Sequence, residues 1–74
     1  MKYPMIDMKK TGENMKRIMK KEGISAEKAG NEIGVSGKSV VYKWTRGDSL
    51  PDINNLLALS MLLDVSINDI LVTK

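Results

Sequence analysis

SAEKAGNEIGVSGKSVVYKWTR, residues 25–46, reads as a short helix, a glycine-centred turn and a second short helix with a wet cationic face. Ser25 is placed to cap the first of the two helices, which runs to about Ile33 and buries Ala29 and Ile33, while Glu27, Lys28, Asn31 and Glu32 point mostly outward. Gly30 in mid-helix costs ~1 kcal/mol relative to alanine, a cost offset where a neighbouring helix approaches closely. Gly34-Val35-Ser36 makes the turn: Gly34 is free to take positive φ, Val35 can plug inward, and Ser36 can cap the next helix. That helix spans Gly37 to about Thr45. On a wheel started at Gly37, Val40, Val41 and Trp44 fall between ~300° and ~40°, whereas Lys38, Ser39, Tyr42, Lys43 and Arg46 fall between ~100° and ~240°. One face is core. The other carries three cations, an amphipathic aromatic and a hydroxyl, with no acid among them. Trp44 shares its arc with two valines and reads as a core anchor.

Outward from this stretch the chain reads as support. Residues 1–10 have no period and are interrupted by Pro4, so they are expected to form an N-terminal arm on a domain of residues 11–74. Tyr3, Met5, Ile6 and Met8 give the arm apolar groups with which it packs across the domain or onto a second copy; the competing expectation is fraying. The first helix is expected to start at Thr11 as cap, with Glu13 early to suit the helix dipole. Met15, Ile18 and Met19 share one ~100° arc, and Lys16, Arg17, Lys20 and Lys21 lie opposite. That basic face is either solvated or a contact for phosphate or an acidic partner. Gly23 ends the helix.

After the central stretch, residues 47–51 form a loop, and Asp52 caps a helix from Ile53 to Leu63 that buries Ile53, Leu56, Leu57, Leu59 and Leu63. Ala58, Met61 and Leu62 make a second apolar patch, covered by the last helix or the arm, or else used as a contact surface for another chain. Asp64-Val65 turns the chain, and Ser66-x-x-Asp69 is a capping box for a last helix whose Ile67, Ile70 and Leu71 close the core. The expected fold is all-α, five helices in one compact unit.

Composition narrows the chemistry. Seventy-four residues support one small core. Cysteine and histidine are both absent, which removes the soft metal ligands and the commonest general base, so neither an enzyme nor a metal site is expected. The longest apolar run, Leu56 to Leu59, is far below the ~20 residues of a membrane helix, and the start of the chain lacks a secretory signal, so a cytoplasmic location is expected. No cofactor, small-molecule ligand or sensing domain is evident. Charge is uneven: residues 1–46 carry net +6 and residues 47–74 net −3. One side of the domain therefore suits an anion, of which nucleic acid is the obvious one.

Helix, short glycine turn, helix is the arrangement in which a second helix enters the DNA major groove. Residues 25–36, then Tyr42-Lys43-Trp44-Thr45-Arg46-Gly47, then Leu50-Pro51 and Asn55-Leu56-Leu57-Ala58-Leu59 resemble the phage-repressor (Cro–CI, or Xre-type) helix-turn-helix family over roughly residues 11–72. The resemblance implies a lambda-repressor-like domain that binds double-stranded DNA through residues 37–46, holds phosphates at the start of the second helix and after the third, and often works as a homodimer. Three departures stand out. The spacing from Gly34 to Trp44 is one residue longer than usual, as in a subgroup whose recognition helix ends in YKW; Ala26 replaces a glutamine that helps clamp DNA; and Asp64 replaces a common glycine.

The candidate DNA-binding residues are Ser25, Lys28, Lys38, Ser39, Tyr42, Lys43 and Arg46. Lys38 and Lys43 reach guanine edges or phosphate; Ser39 and Tyr42 donate to bases, touch a thymine methyl or bind phosphate; Arg46 and Ser25, at helix ends, suit phosphate. The expected function is sequence-specific DNA binding by a transcriptional regulator. The alternative is an antitoxin-like or antirepressor module that uses the same fold to hold a protein.

Overall fold

A computed structural model describes residues 3–35 and 37–74. Among these the chain forms five helices: α1 (Met8–Glu22), α2 (Ala26–Ile33), α3 (Lys38–Arg46), α4 (Ile53–Leu63) and α5 (Ile67–Ile70). The all-α, five-helix expectation holds.

The start of α1 corrects the sequence reading. Asp7, not Thr11, is the cap: it sits in extended backbone and its Oδ1 accepts from the Lys10 amide at 3.0 Å. Glu13 therefore lies beyond the first turn, which contains no acid. Thr11 has another task inside the helix. Fully buried, its hydroxyl donates to the Val72 carbonyl at 3.2 Å and accepts from the Val72 amide at 2.9 Å. The proton of a buried hydroxyl needs an acceptor and its oxygen a donor, and the Val72 backbone supplies one of each. Asn14, one turn on, donates to the Asp69 and Ile70 carbonyls at 2.7 and 2.9 Å and so satisfies the open end of α5.

Of the expected arm, residues 8–10 are helix and residues 5–7 are paired with residues 72–74. Asp7 donates to the Val72 carbonyl at 2.7 Å, Lys74 to the Met5 carbonyl at 2.8 Å, and Ile6 bridges Thr73 antiparallel. Met1 and Lys2 lie outside the described residues.

Met15, Ile18 and Met19 of α1, Ala29 of α2, Val41 and Trp44 of α3, Leu56, Leu59 and Leu63 of α4 and Ile70 of α5 form the core. Each large aliphatic among them contributes about 1.5–3 kcal/mol on burial. In α4 the expected burial is half right. Leu56, Leu59 and Leu63 are buried, but Ile53 and Leu57 are not; they are 79% and 50% exposed. Of the second patch, Ala58 and Leu62 are half-buried, Leu62 against the core, and Met61 is 74% exposed. The helix is apolar nearly all round, so its pattern left its inward face ambiguous. Asp64 ends α4 in the left-handed region at φ 55°, where glycine is the easier residue. The Ser66–Asp69 capping box is present. Hydrogen bonds from the Ser66 backbone and, second, its side chain hold the exposed Asp69 carboxyl below its ordinary value of 3.8.

Gly12, buried in α1, fixes how α1 and α3 meet. A Cβ there would stand 2.5 Å from the Trp44 carbonyl oxygen, 2.7 Å from that of Thr45 and 2.9 Å from the Gly47 nitrogen, all backbone atoms. Backbone cannot swing aside as a side chain can. Gly12→Ala is expected to destabilise the domain by at least about 1–3 kcal/mol through overpacking, read as a lower urea midpoint at unchanged slope; an unchanged midpoint would show that α1 and α3 are not in this contact.

Candidate nucleic-acid interface

The site is built on α2, the turn after it, and α3. Ser25 caps α2 as expected, its Oγ accepting from the Lys28 amide at 3.1 Å. Gly34 ends α2 at φ 89° and donates to the Gly30 carbonyl, and Val35 packs against the core. The cap of α3 is Gly37, at φ 78°, with no side-chain cap hydrogen bond; Ser36, expected in that role, lies outside the described residues. Gly30 is buried where a Cβ would be 3.0 Å from the Gly37 carbonyl oxygen. The close approach expected of Gly30 is thus real, and it brings α2 against the start of α3.

α3 divides as its sequence wheel does. Val41 is fully buried, Trp44 is 3% exposed, and Val40 packs at the edge of the core. Lys38, Ser39, Tyr42, Lys43 and Arg46 are all exposed on the other side, Tyr42 by 46%. The structure brings these five together. Ser25 and Lys28 are exposed on α2, but Lys28 shares a shallow hollow with Glu27 and Glu32, so its field is partly cancelled there.

Gly47 stops α3 at φ 79°, and its amide bonds the Lys43 and Trp44 carbonyls. The chain then turns so that Asp48 Oδ2 meets Arg46 Nε at 3.0 Å, both side chains more than half exposed. An ion pair so exposed is worth ~0–1 kcal/mol, little enough for Arg46 to exchange Asp48 for another anion. Thr45 Oγ1 donates to the Tyr42 carbonyl at 3.1 Å.

A groove links this face to α1. It is lined by Lys16, Met19 and Lys20 of α1, Ile24, Ala26 at the start of α2, and Tyr42, Thr45 and Arg46 of α3. Its floor is apolar and its rim cationic, without a carboxylate in the lining. Two of the α1 lysines, on the basic face that the sequence leaves as either solvated or a contact for phosphate or an acidic partner, therefore adjoin α3. The sequence held no spacing signal for this, because the adjacency comes from the crossing of α1 and α3.

The helix-turn-helix family (HTH_3) model matches residues 15–70, and the chain belongs to that family. Two solved structures share its fold. The P22 c2 repressor protein, solved in complex with a synthetic operator, is 33% identical over 82% of this chain and 91% of that one, with a TM-score of 0.77. The restriction-modification controller protein C.AhdI from Aeromonas hydrophila is 25% identical over 86% of this chain and 96% of that one, with a TM-score of 0.79. No curated protein matches the chain in sequence.

The two faces of α3 separate stability from surface chemistry. Trp44→Ala is expected to cost ~3–5 kcal/mol, whereas Tyr42→Ala and Lys43→Ala stay within about 0.5 kcal/mol of the parent. Urea unfolding followed by circular dichroism measures all three; a fully stable Trp44→Ala protein would mean that the faces are assigned the wrong way round.

Proposed function

We propose that the chain is a sequence-specific DNA-binding transcription regulator that reads double-stranded DNA with α3. One observation carries this reading: an acid-free exposed face of Lys38, Ser39, Tyr42, Lys43 and Arg46, backed by the buried Val41 and Trp44. Family membership and the two repressor and controller neighbours support it. The major groove is ~12 Å wide and takes one helix. Lys38 and Lys43 meet guanine O6 and N7 or a phosphate, and Ser39 and Tyr42 meet base edges, a thymine methyl or a phosphate. Arg46 leaves Asp48 for a phosphate. Ser25 and Lys28 stand at the amino end of α2, where unpaired amides and the helix dipole favour a phosphate.

The protein acts by occupancy, without catalysis, cofactor or small-molecule ligand, in the cytoplasm and as a homodimer. Tyr42-Lys43-Trp44 supports placing it in the YKW-type subgroup. With alanine at position 26, the clamp expected from a glutamine there is absent. The alternative, an antitoxin-like or antirepressor module that mainly holds a protein, draws on the exposed Ile53, Leu57 and Met61.

Titrating genomic fragments at several salt concentrations tests the reading. A subset of fragments is expected to be retained, with affinity falling steeply as salt rises because phosphate binding releases counterions. Tyr42→Ala and Lys43→Ala weaken that binding, by about 1–3 kcal/mol where the side chain reads a base. Equal, weak binding to every fragment would overturn it.

A further inference from the structure

The groove between α1 and α3 encloses about 610 Å³, a volume within the ~300–1,000 Å³ typical of small-molecule sites. Its floor is Met19, Ile24 and Ala26, the first buried and the other two half-buried against the core. Packing therefore fixes the floor before any ligand arrives. Ala26 lines the groove with a single methyl, so the space that a longer side chain would fill stays open.

The rim has the opposite chemistry. Lys16, Lys20 and Arg46 stand on it, all three exposed, and no carboxylate belongs to the lining. Among the described residues the one salt bridge is Arg46–Asp48, which uses the Arg46 Nε and leaves the other four N–H donors of the guanidinium. Three cations around one hollow repel one another, and a bound anion relieves that repulsion. From this pairing of apolar floor and cationic rim we infer that the groove binds a compact aromatic carboxylate, and that the bound molecule shuts α3 off from DNA.

Each part of the lining narrows the ligand class. A neutral hydrocarbon leaves the rim unanswered, and inorganic phosphate leaves the floor bare. A long acyl chain runs off a floor of only three side chains. A flat ring fits, because the Met19 thioether and the Tyr42 ring both make favourable contacts with an aromatic face. Thr45, the other hydroxyl of the lining, spends its proton on the Tyr42 carbonyl, so the strong donors left at the rim are cationic. Those donors suit a carboxylate.

Coupling to DNA follows from shared residues. Tyr42 and Arg46 line the groove and also belong to the exposed face of α3 proposed to meet the duplex. A ligand that holds both takes them from the duplex and sets a negative charge where phosphate would lie. Occupancy of DNA needs no ligand; the groove adds a means of release. By linkage the duplex expels the carboxylate as strongly as the carboxylate expels the duplex.

The release step rests on the DNA-binding reading, and the test keeps the two apart. Labelled protein is titrated with 2-naphthoate, with 2-naphthalenemethanol as the same ring without charge, and with acetate as the charge without the ring. Amide shifts are followed for wild type, Lys20→Gln and Ala26→Leu. Lys20 is exposed and leucine is a good helix former, and a melting curve confirms that each variant folds. The account predicts saturable shifts at residues 16–26 and 42–46, with 2-naphthoate at least about tenfold tighter than either control. Lys20→Gln should weaken it about two- to fivefold, and Ala26→Leu should abolish it by filling the floor. On a duplex selected from a random pool, 2-naphthoate at about ten times its own Kd should lower the apparent affinity of wild type about tenfold. Ala26→Leu should bind that duplex and ignore the naphthoate. Equal binding of the alcohol, shifts centred outside the groove, unchanged naphthoate binding in Ala26→Leu, or duplex and naphthoate bound together would each refute the inference. If no sequence is selected, the DNA-binding reading fails, and the shift titration still decides whether the groove takes the carboxylate.

Discussion

Two glycines let the chain bring backbone against backbone at both ends of α3, and the rest of the molecule is arranged around that clamp. Gly30 of α2 lies against Gly37 at its start, and Gly12 of α1 lies against the Trp44 and Thr45 carbonyls at its end. Between them Val41 and Trp44 are locked into the core. A helix held at both ends and along one side cannot turn about its axis. Rolling it by one residue, ~100°, would push Lys43 or Thr45 toward the core in place of Trp44. The outward set of Lys38, Ser39, Tyr42, Lys43 and Arg46 is therefore fixed by packing rather than by any contact of its own. Such preorganisation is what a surface needs if it is to meet a ligand without first losing conformational freedom.

The remaining elements hold the clamp shut. The first turn of α1, residues 8–11, brings Gly12 into place, and its cap Asp7 is itself tied to Val72. Thr11 and Asn14 then fasten the C-terminal segment and α5 to the same helix through four hydrogen bonds. Contacts that join residues more than fifty positions apart let a small core close, at the entropic cost of a long loop. α4 fills the middle with Leu56, Leu59 and Leu63, which leaves Ile53, Leu57 and Met61 outside. Charge follows the same division, with cations on α1 and α3 around one groove and the net acidic half at α4 and α5.

Legibility in the sequence tracked how sharply each residue type constrains its surroundings. Ser25, Asp52 and Ser66 were readable as caps because a short acceptor before an apolar period has few other uses, and Gly23 was readable as a helix end and Gly34 as a turn residue free to take positive φ. The division of α3 was readable because its polar and apolar residues alternate at helical period. Thr11 was misread because a threonine can cap a helix or satisfy a buried backbone, and only Val72, far along the chain, decides between them. Ile53 and Leu57 were misread because a helix of eleven residues with almost no polar side does not say which side is inward. The groove shared by Lys16, Lys20 and Tyr42 was not readable at all, since it belongs to a crossing of two helices rather than to either one. The DNA-reading roles given to Ser25, Lys28 and the α3 residues rest on surface chemistry and on kinship with the helix-turn-helix family.

Mapping the bound surface by nuclear magnetic resonance tests the central claim most directly. A labelled sample is titrated with a duplex that the protein has selected from a random pool, and amide shift changes are followed residue by residue. The account predicts that the changes concentrate on residues 38–46 and 25–28, and that Val41 and Trp44 keep their buried side-chain environments. Changes centred on α4, or a Trp44 side chain that becomes accessible and contacts the duplex, would contradict it.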